Sequence, residues 1–215
     1  MKLSRIRDLE PKPPVQRYEQ ALPGDLLHLD IKQLGRIVRP SHRVTGDRRD
    51  SVEGAGWEYV PVAILACPER SRRDHSRIAF SAIYPDETQA SVLSFLQAAL
   101  AYYARLGIRF KAILTDNGPA YRSHAMAAAC RALGLKHRFT RPYTPRTNGK
   151  AERFIQTALR EWAYARTYQN SEQRSQNLRP WLHQYNWHRP HASLGLSPPI
   201  SRSGLDDNNV LRLHS

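Results

Sequence analysis

The 215-residue chain is short of cysteine, of long apolar runs and of acidic side chains, and each shortage closes off a class of protein. Only Cys67 and Cys130 are present, and they form no Cys-x-x-Cys pair, so neither a disulfide framework nor a zinc knuckle is expected. No run of about 18 apolar residues occurs, which argues against a membrane span. The opening MKLSRIRDLEPKPP has no apolar centre, so it does not read as a secretion signal, and a cytoplasmic protein is expected. Internal repeats and low-complexity blocks are also missing.

The scarcity of acid is the informative one. Lys and Arg total 33 against 19 Asp and Glu, a formal net charge of +14 with a pI near 10.3. Such an excess points to a polyanionic partner, most often nucleic acid, held through phosphate contacts and counterion release. The plainer alternative is a basic protein with no such role. A hydrophobic share of 40% with 24% charged residues is ordinary for a soluble globular chain, and the length suits one sizeable core with extensions.

Residues 1–24 read as a lead-in, because PKPP disfavours helix. LLHLDIKQLG alternates, with Leu27, Leu29 and Ile31 on one side and His28, Asp30 and Lys32 on the other. That pattern predicts a strand with one core face and one polar, chemically equipped face. A charged connection leads to two further strands, WEYVPVAIL and RIAFSAIY, which should pair antiparallel. PDETQASVLSFLQAALAYYARLG predicts a helix with Asp86 as N-cap, Gln89 as its capping-box partner and Gly107 as its stop. FKAILT, SHAMAAACRALG and LKHRFT read as strand, helix and strand. KAERFIQTALREWAYAR is a helix with an apolar stripe of Phe154, Ile155, Ala158, Leu159 and Trp162. A last helix over SEQRSQNLRPWLHQYN should be interrupted at Pro180, and the tail after Pro199 should be loose. The order β, β, β, α, β, α, β, α, α predicts an α/β fold, a mixed central sheet with helices on its faces.

Three carboxylates stand out. Asp30 lies mid-strand on the polar face. Asp116 ends an apolar strand in TDNGPAY, where a carboxylate is costly unless hydrogen-bonded, cation-paired or metal-bound. Glu152 opens a helix after Asn148 and Gly149, with thirty-five residues between it and Asp116. Open α/β sheets place their sites at the carboxyl ends of the strands. Three acids brought together there would repel, unless divalent magnesium, which prefers hard oxygen ligands, sat among them. Two such ions can activate a nucleophilic oxygen and stabilise a leaving one in phosphoryl displacement. Each residue also has an ordinary reading: Asp30 paired with Lys32, Asp116 capping a turn, Glu152 favoured by a helix dipole.

HLDIKQLG, LTDNGPAY, RPYTPRTNGKAERF and YNWHRPHASLG, in that order, resemble the integrase catalytic core of bacterial insertion-sequence transposases, the retroviral-integrase-like DDE class. The resemblance covers roughly residues 24–200. It implies a ribonuclease H-like fold with a five-stranded mixed sheet and helices on both faces. The implied division is a lead-in over 1–24, a catalytic core over 25–166 and a C-terminal helix and tail over 167–215. It also implies that Asp30, Asp116 and Glu152 are catalytic and bind Mg²⁺ or Mn²⁺, as two ions. The implied activity is metal-dependent DNA cleavage and strand transfer (transposition, DNA integration), in a bacterial, nucleoid-associated protein that works as a homo-oligomer with no membrane partner.

DNA contacts are expected from Lys32, Lys150, Arg153, Gln156 and Arg160. Arg141, Tyr143 and Arg146 join them, in a loop that resembles the mobile active-site loop of that class. Gln156 and Arg160 follow Glu152 at i+4 and i+8 and should share its helix face; a solvated flank is the alternative. Asn148 is a candidate N-cap, and Gly118 should supply permissive backbone under Asp116. His183, His188 and His191 have no zinc-like spacing and are expected to pack with Trp181, Tyr185 and Trp187. Two departures from the class are visible. Only twenty-nine residues precede Asp30, so an end-reading helix-turn-helix is not expected within this sequence. Residues 65–73 look inserted, which a loop tolerates at little entropic cost. Together they suggest a shortened transposase, with an inactive remnant that binds DNA non-specifically as the alternative and a ribonuclease H-type hybrid nuclease as a third reading.

Overall fold

A computed structural model describes residues 26–40, 46, 47, 49, 54–66, 77–140 and 149–202. The alternating segment forms strand β1 (Leu26–Gly35), and WEYVPVAILA forms β2 (Trp57–Ala66), paired antiparallel along its whole length. A short β3 (Ala79–Ser81) adds to β2, again antiparallel. β4 (Ala112–Thr115) then joins the other side of β1 in parallel, and β5 (Lys136–Phe139) joins β4 in parallel. The resulting mixed sheet runs β3-β2-β1-β4-β5, the meander-plus-crossover arrangement expected from the element order.

Helix α1 (Gln89–Arg105) and helix α2 (His124–Ala132) are the crossovers of the parallel half. Val92, Phe95, Leu96, Ala99 and Tyr103 recur at helical spacing and are buried, each large member contributing about 1.5–3 kcal/mol. With Leu27, Leu29, Ala63, Leu65 and Ile113 they make the core on one sheet face. The Tyr103 hydroxyl reaches the carbonyls of Ala63 (2.9 Å) and Ile78 (2.8 Å), which locks the helix to β2. Both helices stop at a left-handed glycine, Gly107 (φ 72°) and Gly134 (φ 67°). The following amides bond back to Tyr103 and Cys130, so a side chain at either glycine would strain the stop.

The opposite face is covered by α3 (Gly149–Ala158), which runs on as a π-helical turn (Leu159–Ala163), and by α4 (Ser171–Gln176) and α5 (Leu178–His183). Ala151, Phe154, Ala158, Trp162, Leu178, Leu182 and Tyr185 bury themselves there against Leu34, Val60, Val62 and Ile64. On the sheet's edge, the Asn186 side chain accepts from the Ala79 amide (2.9 Å) and donates to its carbonyl (2.8 Å), standing in for a missing neighbour strand.

Several local expectations are corrected. β1 is buried on both faces, not one: Leu26, His28 and Leu34 share the Asp30 side and are covered, because β1 is central and helices close both sides of the sheet. Thr88, not Asp86, caps α1. Asp86 instead accepts from the Thr88 amide and from the hydroxyls of Thr88 and Ser91. The C-terminal helix breaks at Asn177, not at Pro180, which sits in the first turn of α5, where a missing N–H costs nothing. RIAFSAIY contributes only three strand residues plus one bridge, Tyr59 to Tyr84. Beyond Pro199 the chain is a 3₁₀ turn (Pro199–Arg202) with Ile200 in the core. Of the residues 65–73 that look inserted, Leu65 and Ala66 end β2, and 67–73, like residues 203–215, lie outside the described residues. No helix among the described residues is long and apolar enough to cross a membrane.

Candidate active site and cationic cavity

Alternation along β1 puts Asp30 on the same face as Leu26 and Leu34. β4 runs parallel to β1 in the register Leu26 to Ala112 and His28 to Leu114. Continued by two residues, that register sets Asp116 level with Asp30 on the neighbouring strand, and strands lie about 4.8 Å apart. Glu152 comes to the same face from above, because Ala151 and Phe154 anchor α3 on it. Two adjacent parallel strands and one covering helix thus supply the three acids.

Electrostatics records their proximity. The Asp30 carboxyl is pushed up from 3.8 to about 6, first by burial and then by the negative charges of Asp116 and Glu152. The Ile31 amide and the Lys32 ammonium work against this. The Ile31 amide donates to Asp30 Oδ1 at 2.8 Å. Asp116 and Glu152 are exposed. Among the described residues, no three His, Cys, Asp or Glu side chains are drawn together closely enough to hold a metal ion. The acids share one neighbourhood without forming a closed ligand cluster.

The turn beneath Asp116 is tightly made. Its Oδ1 accepts from the Gly118 amide at 2.9 Å, and a Cβ on residue 118 would lie 3.0 Å from that same oxygen. Glycine is favoured there by the closeness of the carboxylate, which a side chain would displace, and not by backbone conformation, since the φ of Gly118 is not positive. The Asn117 side chain donates from Nδ2 to the Thr140 carbonyl (2.9 Å), tying the turn to the end of β5. The Thr115 hydroxyl donates to the Asp116 carbonyl (2.8 Å) and meets His137 Nε2 at 2.9 Å.

Tyr121 carried no role in the sequence reading, yet its hydroxyl is buried under this site with no hydrogen-bond partner among the described residues. Burial raises its pKa, and the charges of Asp116 and Asp30 add to the effect. The only signal in the sequence was its place at the end of TDNGPAY.

Lys32 is exposed beside Asp30. Arg141, Tyr143, Arg146 and Asn148 lie outside the described residues. Lys150, Arg153, Gln156 and Arg160 gather around a space that Glu152 does not line. They line a cavity of about 420 Å³ with Ile64, Arg77, Arg189, His191 and Ser193. Lys150, Arg153 and Thr157 follow one helix stripe, and Gln156, at i+4 from Glu152, lies between that stripe and the acid; a π-helical turn begins at Leu159, just before Arg160. The three histidines separate as well. His183 and His188 meet at 3.0 Å through their Nε2 atoms, whereas His191 is buried edge-on against the Tyr185 ring.

Two family profiles, both described as integrase core domain, match this chain over residues 73–145 and 133–199. A putative transposase InsD for insertion element IS2E of Escherichia coli K12 is 34% identical over 107 residues, 46% of this chain and 49% of that protein. The transposase InsD for insertion element IS2A/D/F/H/I/K of Escherichia coli matches equally well, with 35% of its length covered. The chain therefore spans about half, or less, of the curated relatives it matches. Among solved structures, a chain in the cryo-EM structure of the simian T-cell lymphotropic virus intasome with PP2A regulatory subunit B56 gamma superposes with a TM-score of 0.62. That match has 21% identity and covers 88% of this chain and 57% of the other, a likeness of fold.

Proposed function

From a chain that carries an integrase core domain of the insertion-sequence transposase kind, we propose a metal-dependent DNA strand-cleavage and strand-transfer activity with Asp30, Asp116 and Glu152 as its catalytic acids. The observation that carries this reading is the setting of Asp30: burial raises its pKa most, and the carboxylates of Asp116 and Glu152, remote in sequence, raise it further. Three hard oxygen donors short of positive charge fit Mg²⁺ or Mn²⁺, and these residues would hold one ion or two. When bound, the metal activates the attacking oxygen and stabilises the leaving one.

The residues themselves set the geometry. Asp30 is fixed by the rigid centre of the sheet and by the Ile31 amide, and Asp116 by the Gly118 amide. Glu152 rides a helix anchored by apolar packing. Water attacks a phosphodiester at the end of the element, its P–O bond breaks and a 3′-hydroxyl is released. That hydroxyl then attacks a target phosphodiester in line, one P–O bond forming as another breaks, with no covalent enzyme intermediate. Lys32, Lys150, Arg153, Gln156 and Arg160, with Arg141, Tyr143 and Arg146, supply the backbone contacts in this reading, and the working form is a homo-oligomer on DNA. In this reading residues 25–166 are the catalytic core and 167–215 the C-terminal helix and tail.

The test is strand transfer of pre-cut element ends into plasmid DNA with Mg²⁺. Glu152→Gln, which keeps size and removes charge, should lower the rate by at least about a thousandfold, the scale of losing a main electrostatic contributor. Activity retained in that variant would end the assignment. Among the described residues nothing favours an inactive remnant.

A further inference from the structure

The cavity beside α3 lies on the same sheet face as the acids, toward the β2–β3 side, as Ile64 and Arg77 in its wall place it. Its charge is of one sign. Arg77 and Arg153 stand close enough that Arg153 lowers the pKa of Arg77, after the larger effect of burial. Arg189 also lines the cavity, oriented by Glu161, which accepts from its Nε at 2.8 Å and its Nη2 at 2.7 Å. Like charges converge on one space.

The second observation is His191. The residue is 6% exposed, lines the cavity, and its Nε2 has no hydrogen-bond partner among the described residues. A buried polar atom left this way destabilises the fold. It persists here because the turn around it is fixed independently. The His191 carbonyl accepts from Leu194 (2.9 Å) and Leu196 (3.0 Å), and the ring lies edge-on to Tyr185. Ser193 lines the same space.

We propose that this cavity is a phosphate-binding site, in which Arg77, Arg153, Arg189, His191 and Ser193 close on one tetrahedral anion. The source of that phosphate is the backbone of the DNA strand lying along α3, and this assignment rests on the function proposed above. One helix then serves two tasks. Its Glu152 stripe faces the reacting phosphodiester, and its Lys150–Arg153–Thr157 stripe clamps a neighbouring phosphate, fixing the strand's position before chemistry.

Binding should be linked to a proton. In the empty cavity His191 is held down at about 4, by burial first and then by the charges of Arg189 and Arg77. Glu161 and a hydrogen bond to the Tyr185 backbone work in the opposite sense. An anion between those arginines offsets their charge, so the ring can take a proton and Nε2–H can donate to it. Anion affinity should therefore rise as pH falls.

The experiment titrates the full chain, metal-free in EDTA, with sulfate, a tetrahedral dianion whose charge is constant between pH 5.5 and 8 (roughly the range in which histidine titrates). Saturable binding is expected, stronger by about tenfold at the acid end. Arg77→Gln should weaken it about tenfold, the loss of one charge-assisted contact, and His191→Gln should flatten the pH dependence. Circular dichroism checks the fold, and Arg153→Gln, at an exposed position, carries the test if His191→Gln does not fold. Equal affinity in wild type and variants, or no saturable binding, overturns the site. A short duplex should displace the sulfate. Sulfate that binds as expected but is not displaced overturns the DNA assignment and marks a free-anion site. Glu152→Gln should leave sulfate binding unchanged, so failure of the catalytic assignment and failure of this one are separable.

Discussion

Replacing Asp30 with asparagine should make the protein more stable while removing its chemistry. In the folded chain the carboxyl is raised from 3.8 to about 6 by burial and by Asp116 and Glu152. A shift of that size corresponds to about 3 kcal/mol at most. Partial solvent access and the amide's own desolvation bring the expected gain to about 1–2 kcal/mol. The sign follows from linkage. With the folded pKa above the unfolded one, the native state binds more protons between about pH 4 and 6. Wild-type stability therefore falls as pH rises through that window and stays lowered above it. Asparagine keeps an oxygen for the Ile31 amide and has no charge to lose.

Urea unfolding in EDTA at pH 8 and pH 4.5, followed by circular dichroism, measures the effect. The variant should be about 1–2 kcal/mol more stable than wild type at pH 8, and the difference should narrow at pH 4.5. Equal or lower stability of the variant at pH 8 would refute the claim that three acids load one another on this sheet face. Added Mg²⁺ should stabilise the wild type and leave the variant much less affected, since binding to the native state alone raises stability by mass action.

Two further outcomes follow from the same geometry. Gly118→Ala places a Cβ 3.0 Å from Asp116 Oδ1, so strand transfer should drop by about tenfold or more while urea stability changes by less than about 1 kcal/mol, since a small misplacement near the reacting atoms is enough. Arg174 is fully buried, donates to the Gly35 carbonyl at 2.8 Å and pairs with Glu58. Arg174→Met should cost about 3–5 kcal/mol by leaving Glu58 uncompensated, and adding Glu58→Gln should recover part of that loss in a double-mutant cycle.

The comparison of sequence with structure divides along physical lines. Local pattern was enough for β1, for the apolar stripe of α3 and for the glycine stops at Gly107 and Gly134, since periodicity and backbone freedom belong to single residues and near neighbours. The cap of α1 is not legible in the sequence because Asp86 and Thr88 both offer an acceptor oxygen at the helix start, and only their packed geometry gives the Ser91 amide to Thr88 and the Thr88 amide to Asp86. Pro180 looked like a break because its position within a first turn depends on where the helix starts.

What the sequence determined alone was the chemistry available: a basic surface, three acids in recognisable settings, and elements ordered for a mixed sheet. Tertiary structure decided which of these meet. The register that levels Asp30 with Asp116, the helix that delivers Glu152, and the turn that buries His191 among arginines from distant segments all arise from strand pairing and helix packing. Those contacts join residues far apart in the chain, and no local pattern encodes them.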